Sequence, residues 1–276
     1  MKDIKLRIRS VESTMQITKA MQLVASSKLR GARNRMEASR PYMKTARQAM
    51  QDIVNHNLGA DCVYAQAREV KHRLYIVIAG DRGLAGSYNA NVCKIVNWDV
   101  MDPESYAVIP MGRKAHDFFA HRGVSMPVSI DRVENLSNDA CVPVARKILR
   151  GFEAGEYDEV NLIYTTFVSV LTQTPVVIKL LPIEPAPQEG RQRQMLCEPG
   201  ADALLKRFMP QYLAGVIYSA ACEGFASEQA ARRVAMDSAT KNAGEMIEDL
   251  NLRYNRARQS SITQELTEIV AGAEHT

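Results

Sequence analysis

IKLRIRSVESTMQITKAMQLVASSKLRGARNRM, residues 4–36, steps alternately by four and three residues between Ile4, Ile8, Val11, Met15, Thr18, Gln22, Ala25, Leu29, Ala32 and Met36. The same spacing continues through Ser39, Met43, Ala46 and Met50 to Ile53. Twelve of these fifteen positions are apolar in a chain that is 46% hydrophobic overall. That periodicity is the seam of a coiled coil, and at about 1.5 Å per residue it predicts a helix ~75 to 80 Å long. Pro41 lies inside it and removes one backbone donor, so a bend or a loosened turn is expected there.

A second seam runs from Leu205 and Phe208 through Tyr212, Gly215, Ser219, Cys222, Ala226, Gln229, Arg233, Met236, Thr240, Ala243, Ile247 and Leu250 to Tyr254 and Ala257. Past Ala257 the apolar positions slip to Ile262, Leu266, Ile269 and Ala273, which reads as a stutter near the tip. A helix of ~100 Å is not stable on its own stripe in water. Each helix supplies the partner the other lacks, so the two are expected to pair antiparallel, closely packed where the seam residues are small.

Between them the period changes. RLYIVIAG (73–80), SYAVIPM (105–111), VSMPVSI (124–130), EVNLIYTTF (159–167) and PVVIKLLPI (175–183) read as strands, with helical stretches between most of them. That alternation predicts a mostly parallel sheet with helices on its faces, a Rossmann-like α/β domain, and the short link between the last two runs suits an antiparallel pair. EPAPQEGRQRQ (184–194) reads as a polar loop. The expected organisation is an N-terminal long helix at 1–56, the α/β domain with its linkers at 57–200 and a C-terminal long helix at 201–276.

Composition narrows the chemistry. Five scattered cysteines with no CxxC pair fit reduced thiols. No cofactor or metal site is expected, since the histidines His116 and His121 point to different sides of a helix. No run approaches the ~20 apolar residues of a membrane span, and the charged amino terminus is unlike a signal peptide. The net charge of +4 is local: residues 1–50 hold twelve Lys and Arg against three Asp and Glu, leaving −5 for the rest. Such a segment suits an acidic protein surface, an anionic lipid or nucleic acid.

AGDRGLAGSYN (79–89), a glycine-rich turn between a strand and a helix, poses the sharpest question of function. Backbone N–H groups at such a turn can cradle a phosphate, which would make the chain a nucleotide-binding enzyme. Yet Gly80, Gly83 and Gly86 match neither GxGxxG nor GxxxxGK[ST], no lysine follows, and Asp81 and Arg82 put a charge of each sign at the turn. A structural turn is the alternative. No GxSxG or Cys/His constellation offers another active site. A basic coiled coil that binds nucleic acid is the other alternative, although residues 1–50 lack the interleaved aromatics of single-strand binders.

Ile17, Met21, Leu23 and Val24 lie off the first seam and are apolar, and Val270 to Ala273 form a small apolar tip at the other end. A rod whose seam already faces its partner has no internal use for them, so they point to an external surface.

ITKAMQLVASSKLRGARNRM, DRGLAGSYN, SEQAARRVAMDSAT and LRYNRARQSSITQELTEIVAGA together resemble the γ subunit of F-type ATP synthase, bacterial type, over nearly the whole chain. The family commonly has Cys and Gly where this chain has Ala85 and Ser87. The resemblance implies a non-catalytic central stalk that couples transmembrane ion transport to ATP synthesis in a surrounding ring. It implies as partners the α and β subunits, an ε subunit and the membrane ring of c subunits, no nucleic acid, and a peripheral position at the cytoplasmic face of the cell membrane. It places ring contacts on Lys19, Met21, Arg258, Gln259, Thr263 and Glu265.

Overall fold

The computed structural model describes residues 1–55, 62–184 and 200–274. Helix α1 spans Lys2–Asn55 and α5 spans Ala201–Glu274. Between them come β1 (Arg73–Ile78), α2 (Tyr88–Cys93), β2 (Tyr106–Met111), α3 (Arg113–Ala120), α4 (Asn138–Glu153), β3 (Glu159–Phe167) and β4 (Gln173–Leu181).

The first seam is the buried stripe of α1. Every seam residue from Ile4 to Ile53 is buried or half-buried, and most of the helix between is exposed. The three polar seam residues fix the pairing. Thr18 Oγ1 lies 2.8 Å from Thr240 Oγ1, Gln22 Nε2 donates to Asp237 Oδ1 at 2.9 Å, and Ser39 Oγ lies 3.1 Å from Ser219 Oγ. Apolar contacts tolerate a slide of one turn, whereas these pairs are lost by it, so they specify register. They also show the two helices running antiparallel. Beside them Gly215 leaves room for the Tyr42 ring: a Cβ there would meet Tyr42 Cε1 at 2.7 Å. The helix continues through Pro41 without a break.

This register puts the start of α1 opposite residues near 257 of α5. The rest of α5 therefore outruns its partner as a single helix, about 25 Å long at 1.5 Å per residue. The expected stutter is corrected here. Ser261 is half-buried but Ile262 and Leu266 are 48% and 57% exposed, because no α1 remains for a slipped seam to meet. The side chains of Ile269 and Val270 to Ala273, and the loop expected at 184–194 beyond Glu184, lie outside the described residues.

The sheet has strand order β2-β1-β3-β4, the first three parallel and β4 antiparallel to β3. VSMPVSI is not a strand. Only Ser125 and Ile130 bridge to β2, at Ala107 and Met111, and Pro127 between them has no N–H to offer a ladder. The period of two sorts the core. Leu74, Ile76 and Ile78 face α4 and the shaft, joining Ile148, Phe152, Leu213 and Ile217 in the largest cluster. Tyr75 and Val77 face the other way, onto Val92, Trp98, Ala115 and Phe119. Because α5 lies between α1 and the sheet, it is buried nearly all round from Tyr212 to Ala230. The seam position Arg233 is exposed, while its neighbour Arg232 is buried.

Candidate functional site

The glycine turn is built against the shaft. Gly80 N donates to Asn89 Oδ1 at 2.8 Å, and Asn89 Nδ2 donates to the Arg82 carbonyl at 3.2 Å, so one side chain closes the loop. Asp81 Oδ1 accepts from the backbone N–H of Arg113, where α3 starts, and of Arg132. A carboxylate suits the positive end of that helix. The surface of Gly80 is covered by Glu228 of α5: a Cβ there would meet Glu228 Cδ at 2.7 Å and Oε1 at 2.8 Å. Arg232 Nη2 donates to Glu228 Oε1 at 2.5 Å and to the carbonyls of Gly83 and Arg82 at 3.2 and 3.4 Å. Tyr88 Oη donates to the Gly224 carbonyl at 2.8 Å.

This arrangement is the reverse of a phosphate cradle. The Gly80 N–H is committed inside the chain, a carboxylate occupies the space an anion would need, and the turn offers carbonyls to a cation. Burial holds the Glu228 carboxyl above its ordinary pKa, against the pull of Arg232. Burial likewise pushes the Cys93 and Cys141 thiols up to about 12, which leaves them unreactive.

Part of the basic stretch of α1 serves the same junction. Lys28 Nζ pairs with Glu134 Oε1 at 2.5 Å, Arg35 donates to the Glu134 carbonyl at 3.0 Å, and Arg40 pairs with Glu223 at 2.9 Å. Among the described residues no group of three or more His, Cys, Asp and Glu could hold a metal ion.

The residues expected to meet a ring fall at two levels. Lys19 is exposed. Met21 is half-buried, lining a groove of about 350 Å³ between α1 and the turn that Val24 and Leu84 also line. Arg258, Gln259, Thr263 and Glu265 are exposed on the single-helix extension, where Thr263 Oγ1 donates to the Gln259 carbonyl at 2.9 Å. The register places the second group about 28 to 39 Å along the shaft from Lys19. They form two bands, not one site. Off the seam, Ile17 and Val24 are exposed on one face of α1 with Met21, and Leu23 is exposed about 100° round from Val24.

Sequence reasoning passed over Glu228, Arg232 and Leu84. The i, i+4 spacing of Glu228 and Arg232 within the alanine-rich run GFASEQAARRVAM was the available signal for the first two. Leu84 is 63% exposed with φ of +61°, a left-handed backbone that costs a branched side chain energy. Nothing in the sequence marks it out.

A long two-helix coil seated by a polar junction in a small α/β base defines a shaft protein. A family model described as ATP synthase matches residues 1–275. The chain is 42% identical over 275 residues to the "ATP synthase gamma chain" of Desulforamulus reducens, covering 99% of this chain and 97% of that protein. It is 41% identical over 295 residues to the "ATP synthase gamma chain, sodium ion specific" of Acetobacterium woodii, with coverages of 99% and 97%. Among solved structures it resembles the rotor of the Euglena gracilis mitochondrial ATP synthase, with a TM-score of 0.67, 17% identity, and coverage of 95% of this chain and 98% of that one. The chain belongs to the ATP synthase γ-chain family.

Proposed function

We propose that this chain is the non-catalytic rotor shaft of an F-type ATP synthase, coupling ion flow through a membrane ring to ATP synthesis or hydrolysis in a ring of α and β subunits. One observation carries the reading beyond family membership. The C-terminal helix projects past the end of its partner and exposes Ile262 and Leu266 at its surface. A single amphipathic helix of that length is marginal alone in water, and a surrounding sleeve of other subunits is the cover that fits it.

The mechanism follows from asymmetry. One shaft has no threefold symmetry, so three equivalent catalytic sites around it each meet a different face and hold a different nucleotide affinity. Turning the shaft exchanges those states. Lys19 and Met21 form the lower band of contacts and Arg258, Gln259, Thr263 and Glu265 the upper one. The guanidinium of Arg258 suits carboxylates or carbonyls of a catalytic loop, and Met21 gives an adaptable apolar contact. The α/β base joins the ε subunit and the c ring, which makes the chain peripheral to the membrane, at its cytoplasmic face. No helix among the described residues is long and apolar enough to cross a membrane.

Mixing the purified chain with α and β subunits and weighing the product tests this. One copy with three of each is expected. A chain that stays apart from the hexamer contradicts it.

A further inference from the structure

The glycine turn touches the shaft in an uneven way. On one side the groove of about 350 Å³ separates Gly83 and Leu84 from Met21 and Val24 of α1. On the other a cleft of about 370 Å³ lies between Gly86 and Ser87 and the α5 residues Ala231, Val234 and Ala235. A Cβ on Gly83 would meet nothing within 4 Å, and one on Gly86 would come no nearer than 3.9 Å to Ala235. Apolar contact of the turn with the shaft is thus slight at these two positions, although Ala85 between them is buried. Arg232 supplies the polar hold, lining the first of these spaces with its guanidinium on two turn carbonyls and its charge balanced by Glu228. Both side chains are nearly withdrawn from solvent, at 10% and 6% exposure. Hydrogen bonds of this charge-assisted, buried kind are stiff and directional.

The level matters. Lys28 of α1 lies opposite residues near 230 in the register, so its bond to Glu134 ties the other helix to the base at almost the same height. The next ties of the shaft to the base going down are Ser227 Oγ to the Thr165 carbonyl, Tyr88 to Gly224, the Phe167 N–H to Glu223, and Arg35 to Glu134. Above Arg232 the turn still faces Val234 and Ala235 across the cleft, and beyond them the shaft is a two-helix coil until α1 ends.

We propose that Arg232, with Glu228 as its buried counter-charge, is a positioning residue that clamps the glycine turn to α5 and so sets where the free, twistable part of the shaft begins. This rests on the rotor-shaft reading. The bare coil from Arg232 to the level of Met1 is about 25 residues, or ~38 Å. Releasing the clamp moves the fixed end of α5 to the Ser227 Oγ bond to the Thr165 carbonyl, about five residues lower, and lengthens the free coil to ~45 Å. Twist under a given torque grows in proportion to length, so the coil becomes about 1.2-fold more compliant. The turn is then a collar that trims shaft stiffness.

The test uses the complete α, β and γ assembly, immobilised through its hexamer, with a bead on the γ base and the angular fluctuations recorded while the motor pauses. Removing one member of a buried pair strands the other, so the informative variant replaces both: Glu228→Gln with Arg232→Met, which keeps the side-chain volumes. Its angular variance should rise by up to about 1.2-fold, the share carried by the bare coil. Arg232→Lys, which keeps a donor for one carbonyl, should fall between it and the parent. This ordering separates a clamp from general loosening, which would not be rescued by lysine. Equal variance in all three, in complexes that rotate, overturns the clamp while leaving the shaft reading intact. A parent complex in which γ does not rotate overturns both.

Discussion

Replacing Gly80 by alanine tests the junction between turn and shaft with a single methyl group. The new Cβ would lie 2.7 Å from Glu228 Cδ, 2.8 Å from its Oε1 and 3.0 Å from Asn89 Oδ1. Ordinary contact requires the carboxylate to retreat by roughly 0.7 Å. It has little room, since Glu228 is 4% exposed and its Oε1 already lies 2.5 Å from Arg232 Nη2. The cost is therefore that of a spoiled hydrogen bond to a charged group, about 1.5 to 3 kcal/mol. Gly215→Ala is the matched control. Its Cβ also meets an atom at 2.7 Å, but that atom belongs to the Tyr42 ring, which is half exposed and can swing away. Alanine recovers up to about 1 kcal/mol of helix propensity there, so the net effect stays within about 1 kcal/mol of zero. Urea unfolding followed by the fluorescence of Trp98, the sole tryptophan, reads the base directly. Equal stability of Gly80→Ala and the parent, or equal losses in the two variants, would refute the reasoning.

Three further outcomes are expected. A double-mutant cycle of Thr18→Val and Thr240→Val should give a coupling of about 0.5 to 1 kcal/mol in the same unfolding assay, and zero coupling would remove this pair from the register. Burial raises the folded-state pKa of Glu228 above its ordinary 4.5, so the native state binds that proton more readily than the unfolded one. Stability from this group grows as pH falls from the folded-state pKa toward 4.5 and is lost as pH rises through that window. The stability of the parent minus that of Glu228→Gln should accordingly increase on acidification, and a flat difference would contradict the assignment. Arg258→Ala should lower ATP-driven ion pumping in reconstituted membranes by several-fold relative to ATP hydrolysis; an unchanged ratio of the two rates would remove Arg258 from the coupling contacts.

The two long helices were legible because a seam fifteen or sixteen positions long leaves no room for chance, and because the polar interruptions Thr18, Gln22 and Ser39 carry the register within the seam. The stutter was misread for a reason of geometry. Ile262 and Leu266 look like seam residues in sequence, but the pairings of Thr18 with Thr240, Gln22 with Asp237 and Ser39 with Ser219 reveal that α1 has ended before them. The all-round burial of α5 from Tyr212 to Ala230 was hidden for a related reason, since a seam shows one partner and this segment has two. VSMPVSI has the apolar content of a strand and was read as one; its proline and its two isolated bridges show how little of a ladder it makes. At the turn, the glycine spacing argued against a phosphate site. That Glu228 and Arg232 hold the turn depends on contacts across about 150 residues of sequence, which no local pattern carries. The two bands of expected ring contacts were proposed by likeness to a family, and the fold adds where they lie: one beside the glycine turn, one on the unpaired helix.

The central claim is that this chain turns as one shaft inside its ring. A bead fixed to the α/β base, watched under a microscope while the immobilised hexamer hydrolyses ATP, measures that directly. The account predicts rotation in one direction with pauses every third of a turn. A bead that stays at one angle, or wanders without direction while ATP is consumed at the full rate, would contradict it.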